Sequence, residues 1–70
     1  MRMQIANDNF NKVHYFQYDN QFSRVTVGNK QEPMIFNDKK ELFKDWLNAE
    51  ELKIFDDELK NEFNIYLIKL

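Results

Sequence analysis

The sequence predicts a small single α+β domain spanning residues 1–70, and three observations carry that expectation. The N-terminal half alternates aromatic and β-branched residues between turn signals, the pattern of paired strands. From Asp38 onward the spacing changes to that of a helix behind a capping sequence. Hydrophobic residues make up 43% of the chain, and seven Phe, three Tyr and one Trp supply large rings for a core. A chain this short buries only about 60% of its unfolded surface, so ring size matters.

The first strand is expected over 12–18, where His14, Phe16 and Tyr18 alternate with Val13, Tyr15 and Gln17. Asp19-Asn20 tolerates the left-handed backbone of a tight hairpin. The return strand is expected over 21–27, with Val25 and Val27 on one face and Phe22, Arg24 and Thr26 on the other. Gly28-Asn29 is the next turn signal. Pro33 cannot donate to a ladder and marks an edge or a strand start, so a short third strand is expected over 33–36. Together these make an N-terminal antiparallel β-meander.

Asp38-Lys39-Lys40-Glu41 has the capping-box spacing. Leu42, Phe43, Trp46 and Leu47 follow as one apolar stripe, and Leu52, Phe55 and Leu59 continue it. A helix is therefore expected over about 39–61, broken near Asn48, because Asn48 to Glu51 repeats the cap spacing. Residues 63–70 fit either period: Phe63, Tyr66, Leu67 and Leu70 would extend the stripe, yet the segment is dense in strand formers. A C-terminal strand over 63–70, adding a fourth strand to the sheet, is the expectation.

Composition excludes several chemistries. With no Cys there is no disulfide, thiolate metal site or cysteine nucleophile. His14 is the one imidazole, beside one Ser and one Thr, and no Gly-rich loop is present to bind an oxyanion. As one residue of an aromatic strand face, His14 needs no catalytic role. Adjacent acids such as Asp56-Asp57-Glu58 point in different directions on a helix, and they lack the Gly and alternating oxygens of a calcium loop. No phosphate loop or dinucleotide fingerprint occurs. The expectation is a non-enzyme with no catalytic residues, no metal and no cofactor. No apolar run approaches the about 20 residues of a membrane span, and the N-terminus lacks a signal-peptide pattern. A cytoplasmic location and no membrane partner follow as expectations.

Charge divides the chain. Residues 1–36 carry four bases against three acids, a net of +1, while 37–70 carry six Lys against nine acids, a net of −3. In the second half Glu51, Glu58 and Glu62 recur at i, i+7 and i+11, flanked by Glu50 and Asp57. On one helix this stripe would imitate phosphates and meet a basic surface. The leading reading is thus a non-catalytic macromolecule-binding protein with Glu50, Glu51, Asp57, Glu58 and Glu62 as its contact residues. Its partner would be a larger, nucleic-acid-handling protein whose basic groove is occupied and inhibited.

The second reading is a single-stranded nucleic-acid module using Lys12, His14, Tyr15, Phe16, Tyr18 and Arg24, with Lys30 nearby, as a stacking platform beside cations. A pI of about 5.3 ranks this direct contact below the first reading. Exposed aromatics could alternatively join two copies. In style, an Asn-rich, cysteine-free, compact chain resembles the short proteins of phages and mobile elements. That likeness covers no motif.

Overall fold

The computed structural model describes residues 1–28 and 32–70. Asn29, half of the turn expected after the second strand, and Lys30 lie outside the described residues. The chain order is β1 (Arg2–Asp8), β2 (Val13–Tyr18), β3 (Gln21–Thr26), β4 (Met34–Phe36), α1 (Lys39–Trp46), β5 (Leu52–Ile54) and α2 (Asp57–Ile68). The strands form one antiparallel sheet in the order β4-β3-β2-β1-β5.

The expected meander is present, with one strand more at its start. The three strands read from the sequence are β2, β3 and β4. β1 precedes them and was not expected. Its alternation is hidden by a bulge between Gln4 and Ala6, which leaves Ile5 and Ala6 both fully buried. The hairpin between β2 and β3 turns on Asp19, whose φ of 52° is left-handed as its residue type allows. Lys12 is also left-handed, with φ 57°, and Gly28 has φ 77°.

α1 begins at the expected cap. Asp38 accepts from Glu41 N at 2.9 Å, and Glu41 Oε2 accepts from Asn37 N at 3.0 Å, one residue before the cap. The break near Asn48 is also there: the amides of Asn48 and Ala49 close on Asp45 and Trp46 carbonyls, ending the helix.

Beyond the break the chain departs from the expectation twice. The further strand that the second half adds to the sheet is Leu52–Ile54, not residues 63–70. Leu52 and Ile54 alternate with exposed Lys53, so the period there is two. Residues 63–68 are helical, because Asp56 caps a new helix by accepting from Leu59 N at 3.0 Å. Leu59, Phe63 and Tyr66 then fall on one face, and that face outweighs the strand propensity of Ile65-Tyr66-Leu67-Ile68.

Both helices cover the same side of the sheet. Ala6, Val13, Tyr15, Phe22 and Phe36 from the strands meet Leu42, Phe43, Trp46, Leu59 and Phe63 from the helices. Trp46 stands edge-on to Tyr15 at 5.9 Å and to Phe63 at 5.2 Å, the favoured geometry for rings in contact. Register places His14, Phe16 and Tyr18 on the opposite side, which no described element covers. Among the described residues no helix is long and apolar enough to cross a membrane.

Candidate binding surfaces

The acidic residues do not form one helical stripe, because β5 separates Glu50 and Glu51 from α2. Glu50 and Glu51 lie in the segment before β5, where their amides donate to Asp8 at 3.3 and 3.1 Å. Asp8 is 2% exposed and also accepts from Phe10 N, Asn11 N and Asn11 Nδ2. Burial alone would raise its pKa, but the bonds from Asn11, Glu51 and Glu50 outweigh it and hold the carboxyl below its ordinary value.

Asp57 and Glu58 occupy the first turn of α2, where the helix dipole favours carboxylates. Glu58 and Glu62 line a cleft of about 360 Å³ together with Asp38, Lys39 and Asp56. The N-termini of both helices therefore open on one cleft, since Asp38 and Asp56 are their caps. Asp38 and Asp56 are acidic members of this surface that the sequence reading recognised only as a cap or as part of an acid run.

Within the cleft the Lys39 ammonium lies 2.9 Å from each Glu62 oxygen. The hydrogen bond that Lys39 donates to Glu62 raises the Lys39 pKa, and the charges of Glu62, Glu58 and Asp56 add to it against the cost of burial. Three carboxylates thus act on one ammonium, Asp38 lines the same cleft, and Glu58 has no ion-pair partner among the described residues. This surface can accept cations.

The second candidate set is divided by the sheet. Lys12 sits in the β1–β2 turn. Tyr15 and Arg24 face the helices, where both bond Asp45: the phenol donates at 2.6 Å and the guanidinium at 2.5 Å. They line a hollow of about 320 Å³ with Asp8 and Asn48. Both carboxylates there are engaged by internal donors, so the cluster ties β2 and β3 to α1.

His14, Phe16 and Tyr18 remain together on the open side. Register adds Arg2, Gln4 and Asn7 from β1, Ser23 and Val25 from β3, Ile35 from β4 and Lys53 from β5. Arg2 lies 4.4 Å from the Phe16 ring centre, and Lys53 lies 5.8 Å from that of Phe55. Gln4 Nε2 donates to His14 Nδ1 at 2.8 Å. Sequence reasoning missed Arg2 and Lys53 because neither β1 nor β5 was read as a strand. Comparison with protein-family models, curated proteins and solved structures returned no match for this chain.

Proposed function

We propose that this chain is a small non-catalytic protein that binds another macromolecule through its acidic helical side. The partner is a larger protein with a basic surface, such as the nucleic-acid groove of an enzyme, and occupation of that surface inhibits it. The carrying observation is the cleft between the two helix N-termini, where the Glu62 carboxylate grips the Lys39 ammonium beside the uncompensated Glu58. A lysine or arginine from a partner would meet the same chemistry there. Exposed charges of this kind set orientation and speed of association. Glu58 and Glu62 form the centre of the contact, with Asp38 and Asp56 beside them. Asp57, Glu50 and Glu51 extend the negative field outward. A cytoplasmic setting goes with this reading, since nucleic-acid-handling enzymes work there.

The test is affinity capture from the native host by the immobilised chain, followed by mass spectrometry. A basic protein should be held by the wild-type chain and lost when Glu58→Lys and Glu62→Lys are combined. The pair Glu50→Lys and Glu51→Lys, outside the cleft, should weaken capture less. Capture that is indifferent to Glu58→Lys and Glu62→Lys, in variants with a native circular-dichroism spectrum, overturns the reading.

A further inference from the structure

The open side of the sheet carries a chemistry opposite to that of the helical side. Its strand positions are Arg2, Gln4, Asn7, His14, Phe16, Tyr18, Gln21, Ser23, Val25, Ile35 and Lys53, and no Asp or Glu is among them. Of the acids nearest in sequence, Asp8 is buried on the helical side, and Asp19 and Glu51 lie beyond the ends of β2 and β5. In a chain of net charge −2, the charged strand residues of this face are therefore cations alone. Net charge and pI average over both sides and conceal this segregation.

The rings of the face are placed with those cations. Arg2 lies over Phe16 and Lys53 near Phe55, at the two cation–ring distances given above, so each positive group sits beside a flat π surface. Tyr18 is 55% exposed and Phe55 44%, which leaves ring area open to a ligand. Because Gln4 donates to His14 Nδ1, the other ring nitrogen of a neutral His14 carries the hydrogen and is a donor. Ser23 adds a hydroxyl opposite Phe16.

From this placement we infer that the open sheet face binds a single-stranded nucleic acid, stacking bases on Tyr18 and Phe55 while Arg2, held over Phe16, and Lys53 contact phosphates. Flat rings take bases of any sequence, and adjacent cations take the backbone, so both halves of the polymer are answered on one surface. A second copy of this chain is the less favoured occupant, because its own face would bring Arg2 and Lys53 against like charges. The inference is independent of the acidic cleft, which lies on the other side of the sheet.

The experiment is fluorescence anisotropy of labelled oligouridine RNA and oligothymidine DNA of about ten nucleotides, titrated with the full chain at about 50 mM salt. Both should bind, and Tyr18→Ala or Phe55→Ala should each weaken binding roughly five- to hundredfold. Combining Arg2→Gln with Lys53→Gln should weaken it further and reduce the log–log salt slope by about 1.4, the share of two phosphate contacts on a single strand. Glu58→Lys with Glu62→Lys should retain binding, which separates this face from the acidic cleft. Absence of an anisotropy change with both oligonucleotides overturns the inference, as does binding that survives the Tyr18, Phe55, Arg2 and Lys53 substitutions in folded variants. Sedimentation that reveals a dimer broken by Tyr18→Ala would assign the face to a second copy instead.

Discussion

Tyr15 donates its phenolic hydrogen to Asp45 Oδ2 at 2.6 Å, joining the middle of β2 to the last turn of α1. Burial, and then the bond and charge of Asp45, push the Tyr15 pKa well above 10.0. Loss of one bond to a charged group predicts that Tyr15→Phe costs about 1.5–3 kcal/mol in urea unfolding. The pH dependence has a definite sign. The unfolded phenol ionises near 10.0 while the folded one resists. This contribution is therefore complete below pH 10.0 and is lost as the pH rises toward the folded pKa. Wild-type stability should fall as the pH rises above about 10.0 toward the folded pKa, and Tyr15→Phe should show a shallower fall.

Asp8→Asn tests the hub at the end of β1. The amide would present hydrogens to donors that now share a carboxylate, and a cost of about 3 kcal/mol is expected. The Asp8 pKa is lowered from 3.8, so its stabilisation is present above that value and lost as pH falls through the folded pKa. Acid unfolding followed by Trp46 fluorescence should thus begin at higher pH in wild type than expected from global charge alone, and the acid limb should flatten in Asp8→Asn.

Lys39→Ala separates stability from binding. The Lys39–Glu62 pair is substantially exposed, at 46% and 37%, so its removal should change stability by less than about 1 kcal/mol. The same change frees Glu62 for a partner's cation. Affinity for the captured basic protein should rise, and calorimetry or surface plasmon resonance would register it. Unchanged or weaker affinity would mean that Lys39 does not compete with the partner.

Lys12→Gly addresses the turn between β1 and β2. At φ 57° a side chain costs about 1 kcal/mol, which glycine avoids at some expense in unfolded-chain entropy. A net gain of about 0.5 kcal/mol in thermal unfolding is expected, whereas Lys12→Val should be destabilising because a β-branched residue fits that φ worst.

The meander and the first helix could be read from the sequence because each is specified locally. Asp19-Asn20 sets a hairpin, and Asp38 caps α1 with Glu41 three residues on. The remainder depends on contacts distant in sequence. Phe63 to Ile68 becomes helical because Phe63 and Tyr66 can reach Phe43, at 5.5 and 5.6 Å, and no local rule contains that. Leu52–Ile54 becomes a strand because β1 offers it an edge, while its own residues also suit helical spacing. The candidate sites followed the same rule. Glu58 and Glu62 were correctly seen to share a helix, but grouping them with Glu51 assumed a helix where a strand lies. Tyr15 and Arg24 left the aromatic platform because period two sends them to the helical side, toward Asp45.

The strand order has a kinetic consequence. β1 to β4 form by successive hairpins, whereas β5 must return from position 54 to pair with Ala6. This closure demands the long loop, so it should form last and open first. Hydrogen exchange should find the amides that join β5 to β1, and the helix that follows β5, protected by less than the full unfolding free energy. On a ribosome the meander could assemble while the acidic cleft did not yet exist, since Asp56, Glu58 and Glu62 emerge only after β5. The Arg2, Phe16 and Tyr18 part of the open sheet face would then exist earlier in synthesis than the helical one, and Lys53 and Phe55 would join it only with β5.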